Sequence, residues 1–143
     1  MAKVLVIRLS AIGDVAMTVP VIYSAAKANP EDSFTVLTQA FLMPLFMNRP
    51  PNVEVIGINT KGAEKGLIGL LKFISALLKF DFDVILDLHN VIRTIIICTF
   101  FRLNGKRVFV LDKARKERKR LTAIKGKRLY PLRPVIVRYA DVF

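Results

Sequence analysis

The stretch Ser10-Ala-Ile-Gly13-Asp14 sets a hydroxyl, a glycine and a carboxylate between an apolar, strand-like run and a helical pattern. A turn of this kind aims free backbone N–H groups and the positive end of a helix dipole at one place, which suits an anionic ligand. Gly13 is expected to permit the tight turn. The spacing is neither G-x-G-x-x-G nor G-x-x-x-x-G-K-[ST], so a dinucleotide fingerprint and a P-loop are both absent. The plainer role of Asp14 is that of a helix-start carboxylate, stabilising by charge and capping.

A second cluster, Asp87-Leu-His89-Asn90-Val-Ile-Arg93-Thr94, brings acid, imidazole, amide and guanidinium together. His89 is the only histidine, and such a residue is often a hydrogen-bonded structural group. Arg93 in the first turn of a helix opposes the dipole, which fits retention for an anion; the alternative is a salt bridge to Asp87 or Asp112. A third pair, Asp81-Phe-Asp83, has the D-x-D spacing that some glycosyltransferases use for a metal nucleotide. It precedes a strand and so falls at the wrong end of a parallel sheet for a ligand, where it reads as turn chemistry.

These clusters need elements to position them. Val4–Leu9, Phe34–Thr38, Val53–Ile58, Val84–Leu88 and Val108–Leu111 read as strands, with helical patterns over Val15–Ala28, Phe41–Asn48, Gly66–Phe80 and Val91–Leu103. Pro20 is expected to open the main part of the first helix, leaving Asp14–Thr18 as a short first turn. Strands apolar on both faces and separated by helices imply an α/β fold, a Rossmann-like parallel sheet with helices on both faces. Ligands of such sheets bind at the carboxyl edge, where Asp14 and the second cluster fall. On the helix Gly66–Phe80, Lys65, Lys72 and Lys79 recur every seven residues as a narrow cationic stripe. It is either the solvent edge of a buried helix or the face of an interfacial helix that meets anionic head groups.

The 143 residues suffice for one domain, and 53% hydrophobic against 24% charged residues excludes a disordered chain. The formal charge of +12 is uneven: residues 1–101 hold 9 basic and 8 acidic side chains, residues 102–143 hold 14 and 3. The surplus therefore belongs to the final 42 residues, whose run Asp-Lys-Ala-Arg-Lys-Glu-Arg-Lys-Arg-Leu reads as a basic loop or short helix ahead of a terminal amphipathic helix. Cys98 is the only cysteine, which leaves no internal disulfide and no cysteine cluster for zinc and fits a reducing cytosol. The opening has too short an apolar run for a signal peptide, and no stretch is long and apolar enough to span a bilayer.

The opening Lys-Val-Leu-Val-Ile-Arg-Leu-Ser-Ala-Ile-Gly-Asp-Val-Ala-Met-Thr-Val-Pro closely resembles the amino-terminal motif of the ADP-heptose:lipopolysaccharide heptosyltransferases, glycosyltransferase family 9. The segment Asp-Leu-His-Asn-Val-Ile-Arg-Thr is similar to that family's Asp-Leu-Gln/His-x-x-x-Arg-Ser/Thr. The resemblance implies the amino-terminal half of a GT-B enzyme, two Rossmann-like domains facing across a cleft, and an inverting, metal-independent transfer. It implies Asp14 as general base. Ser10, Gly13, His89, Asn90, Arg93 and Thr94 become the expected acceptor-binding residues, with Arg93 meeting acceptor phosphate or carboxylate groups. No cofactor is implied; the donor substrate ADP-heptose would bind the second domain, which the length leaves no room for. Residues 1–112 are thus expected to form the acceptor-side domain and 113–143 a basic connection. By itself the chain is expected not to turn over.

The implied partners are the lipopolysaccharide inner core and the anionic inner-membrane surface, reached from the cytoplasm. A noncatalytic fragment that binds acceptor or membrane is the second reading. A nucleic-acid module is the third, and it is disfavoured because Lys113–Arg128 holds no Phe, Tyr or Trp to stack on bases.

Overall fold

Five apolar runs pair in parallel. In the computed structural model, which describes residues 1–113, 115–122 and 134–143, they are β1 (Lys3–Ile7), β2 (Ser33–Gln39), β3 (Val53–Ile58), β4 (Val84–Asp87) and β5 (Arg107–Val110). Their order across the sheet is β3-β2-β1-β4-β5. β1 pairs with β2 from Lys3↔Ser33 to Ile7↔Leu37 and with β4 from Val4↔Val84 to Ile7↔Asp87. The chain thus winds one way from β1 to β3 and the other way through β4 and β5. Between β1 and β4 lies the switch point, where such sheets open a crevice at their carboxyl edge.

The two-residue period of the strands sends alternate side chains into two cores. Val4 and Val6 face one, with Phe34, Val36 and Leu86; Leu5, Ile7 and Leu9 face the other, with Leu37 and Ile85. Over the first core lies α1 (Ile12–Ala28), which buries Val15, Thr18, Ile22 and Ala26 along one stripe. Over the second lie α2 (Gly66–Leu78), burying Leu70, Ile74 and Leu77, and α3 (Ile92–Leu103), burying Thr94, Ile97, Cys98 and Phe101. The expected α/β sheet covered on both faces is therefore what forms.

Two local expectations need correction. Pro20 lies inside α1 instead of opening it. The ring removes one N–H and so one helical hydrogen bond, but the buried stripe continues on both sides of it at Thr18 and Ile22, and that packing keeps the helix continuous. The Met- and Phe-rich stretch forms a 3-10 helix, Ala40–Phe46, which buries Leu42 and Phe46. It comes so close to β3 that a Cβ on Gly57 would lie 2.6 Å from Met43 Sδ.

The basic run forms α4 (Arg115–Thr122), and a last helix, α5 (Val135–Ala140), packs on α1 with Tyr139 buried in the first core. The ring of Phe143 lies 6.5 Å from that of Phe34. The Pro-bounded piece Pro131–Pro134 falls mostly outside the described residues. Among those residues, no helix is long and apolar enough to cross a membrane.

Candidate active site

The pairing of β1 runs one residue beyond its end, since the Arg8 N–H donates to Leu37 O at 3.0 Å and the Leu88 N–H to Ile7 O at 3.0 Å. That extension places Arg8 on the switch point itself, 7% exposed among apolar neighbours. A cation so buried needs partners. Nη1 of Arg8 donates to Leu88 O at 2.7 Å and Nη2 meets Asp14 Oδ2 at 2.6 Å. Its guanidinium carbon stands 5.6 Å from the centre of the Tyr139 ring, within cation–π reach.

Asp14 reaches this position because α1 begins directly after β1. The residue before the helix, Ala11, makes no side-chain cap, and the Asp14 carboxylate in the first turn is turned to Arg8. Its side chain is 41% exposed, so the ion pair fixes the carboxylate while leaving it open to a ligand. Gly13 is helical with a negative φ, and a Cβ there would meet nothing within 4 Å. The turn therefore does not require glycine's freedom at that position, contrary to expectation.

The second cluster divides. Asp87 is fully buried and accepts the backbone N–H groups of His89 and Asn90 (both 2.9 Å) and the Thr94 hydroxyl at 2.8 Å. The Cys98 thiol lies 3.8 Å away; burial, with the carboxylate beside it, pushes this thiol up to about 12. Thr94, at the third position of α3, also accepts the Val91 N–H at 3.0 Å, one half of a capping box. Asn90 takes a left-handed φ of 50°, which asparagine tolerates, and its amide donates to Leu111 O at 3.2 Å. These residues tie β4, α3 and the end of β5 together. Arg93 donates to Glu64 O at 3.2 Å, just ahead of α2. None of Asn90, Arg93 and Thr94 lines the cavity at the switch point.

His89 does line it, with Ser10 and Asp14. Ser10 Oγ stands 3.5 Å from His89 Nε2. Burial first, then the charges of Arg8 and Lys113, lower the imidazole to about 4, so the ring is neutral at neutral pH. The cavity measures about 390 Å³, and its remaining wall carries Lys113, Arg118, Arg138 and Tyr139. Burial, followed by Arg115 and Arg8, holds the Lys113 ammonium below its ordinary value; burial raises the Tyr139 phenol. The sequence alone points to Ser10, Asp14 and His89 here but misses Arg8, Arg138 and Tyr139. The available signal was Arg8, a charge at the end of an otherwise apolar strand.

Asp81 and Asp83 sit at the amino edge, away from this cavity. Asp81 pairs with Lys106 at 2.6 Å and Asp83 accepts the Lys3 N–H at 2.8 Å.

No protein-family profile and no curated protein sequence matches the chain. Solved structures do. A glycosyltransferase family 9 structure from Veillonella parvula matches with a TM-score of 0.69 at 22% identity, over 99% of this chain and 40% of its own. The E. coli heptosyltransferase WaaC with ADP-2-deoxy-2-fluoro heptose matches at 0.65 and 20% identity, over 98% and 46%. A Siraitia grosvenorii UGT transferase in complex with UDP matches at 0.58 and 11%, over 78% and 28%. The fold is thus that of the family 9 and related GT-B glycosyltransferase structures, and the chain spans less than half the length of each.

Proposed function

We propose that the chain is the acceptor-side, amino-terminal domain of a glycosyltransferase that moves a heptose from ADP-heptose to the inner core of lipopolysaccharide when joined to a donor domain. The observation that carries this reading is the half-open Asp14 carboxylate, held by Arg8 at 2.6 Å in a polar cavity at the switch point of a GT-B-like sheet. In the proposed step an acceptor hydroxyl attacks the anomeric carbon. Its proton passes to the Asp14 carboxylate as the new C–O bond forms, and the bond to the ADP phosphate breaks with its electrons leaving on ADP, which inverts the anomeric centre. General-base assistance of this kind contributes ~10²- to 10⁴-fold.

Arg8 orients the carboxylate in this scheme. Ser10, Gly13 and His89 border the acceptor, Asn90 and Thr94 brace the loop beneath it, and Arg93 meets acceptor anions outside the cavity. Residues 1–112 form the sheet and its covering helices, and Lys113, Arg118, Arg138 and Tyr139 of the basic segment that follows complete the wall of the cavity. The helix α2 supplies a contact with the anionic inner membrane from the cytoplasmic side, because Leu67, Ile68 and Leu71 are exposed beside Lys72.

The test is transfer from ADP-heptose to a lipopolysaccharide core acceptor. With a donor domain present, Asp14→Asn is expected to lower kcat ~10²-fold or more while leaving the circular dichroism spectrum unchanged. The 143-residue chain alone is expected to show no transfer above an Asp14→Ala control. Full activity of the asparagine variant would remove Asp14 from the mechanism.

A further inference from the structure

A carboxylate that is 41% exposed is free to turn unless its partner is fixed, and the partner of Asp14 is Arg8. Ion pairs in water hold one geometry weakly, because water competes for both charges. This pair escapes that on the arginine side, where the side chain is only 8% exposed. The shelter comes from separate elements. Leu88 O, past the end of β4, accepts from Nη1 at 2.7 Å, and the ring of Tyr139 on α5 stands over the guanidinium, its centre 5.6 Å from the guanidinium carbon. Tyr139 is itself 1% exposed. It enters the first core, Val142 three residues on packs against that core, and the Phe143 ring lies 6.5 Å from that of Phe34, so α5 is pinned on α1.

We infer that Tyr139 is a positioning residue: its ring seals one face of the Arg8 guanidinium from water and, through Arg8, holds the Asp14 carboxylate in place. An apolar side chain of similar size also excludes water, but only an aromatic face adds attraction for the cation. Keeping water off the guanidinium lowers the local dielectric, which strengthens its pull on the carboxylate. In the proposed transfer the ring touches no reacting atom and acts through Arg8 alone. The position of a carboxylate in the first turn of α1 thus depends on α5, an element outside the sheet and its crossovers.

The catalytic part of this inference rests on the general-base reading of Asp14, but its first test involves no turnover. Arg8 Nε is buried and finds no hydrogen-bond partner among the described residues, so burial is what shields its proton, and exchange there reads the entry of water. In the 143-residue chain that exchange is followed by ¹⁵N NMR, with the Leu5 amide in β1 as the reference for folding. Tyr139→Leu is expected to speed exchange at Arg8 ~10-fold while Leu5 stays protected, and Tyr139→Phe to leave it slow. If the leucine variant does not fold, phenylalanines of increasing ring fluorination at position 139 carry the same test. They keep the size of the ring while draining its negative face, and exchange is expected to rise with each added fluorine. With a donor domain present, the same series is expected to lower kcat stepwise, reaching ~10-fold, at unchanged KM for ADP-heptose. Exchange that ignores both leucine and fluorination overturns the inference, as does a phenylalanine variant that behaves like leucine, which would give the effect to the hydroxyl. A kcat indifferent to the series while Asp14→Asn is inactive overturns it too. Full activity of Asp14→Asn removes the general-base reading alone, since exchange still decides whether the ring seals Arg8.

Discussion

Asp87 and Asp14 stand one strand apart, yet they have opposite employment. Asp87 is sealed and spends its lone pairs on two backbone N–H groups and the Thr94 hydroxyl, whereas Asp14 is 41% exposed and bound to one arginine. Thr94→Val leaves the buried carboxylate short of a donor and is expected to destabilise the chain by ~1.5–3 kcal/mol in denaturant unfolding. His89 sets the pH dependence. Its folded value of about 4 lies below the ordinary 6.5, so between those values the unfolded chain binds the extra proton. Stability is therefore full above about pH 6.5 and is lost as pH falls towards 4. Urea midpoints are expected to fall through that window and to fall less in His89→Gln; identical slopes would contradict the buried neutral ring. Asp14, Ser10 and His89 were legible because each follows an apolar strand. Arg138 and Tyr139 were not, since nothing local in an amphipathic terminal segment says that it folds back over residues more than a hundred positions earlier.

The helices show where periodicity is informative and where it misleads. In α2 the apolar content is so high that the pattern cannot separate the packed face from the open one. The structure does: Ile74 is buried while Ile68, six residues away on the same helix, is 73% exposed. Ile74→Ala is expected to cost ~2–5 kcal/mol and Ile68→Ala no more than ~0.5 kcal/mol, both by thermal or denaturant unfolding. Comparable losses would mean that the outer face is covered in solution. Pro20 misled for a different reason, because its local penalty was read without the buried stripe that outweighs it. The strands were easier to locate, as both faces of each are covered and the apolar runs are nearly continuous; their ends moved by a residue or two where the pairing, not the composition, decides.

At the scale of the molecule, the alternation of strands and helices was enough for the sheet and for its working edge, but not for the surface that the edge shares with α2. There Leu67, Ile68 and Leu71 lie open at the start of a helix that begins where Arg93 reaches Glu64 O. Co-sedimentation with phosphatidylglycerol vesicles is expected to fall as salt rises and to drop several-fold when Ile68→Asp and Lys72→Glu are combined. Equal binding to uncharged vesicles would remove the electrostatic part of the proposed membrane contact. The seating of Arg8 against Tyr139 bears also on how the molecule is made. Arg8 is made 80 positions ahead of its partner carbonyl at Leu88, and the aromatic ring that covers it comes later still. Contacts so distant along the chain form slowly. The nascent protein must therefore carry an unsheltered cation at the heart of its sheet until Tyr139 has been made, and the cavity is among the last parts of the domain to exist.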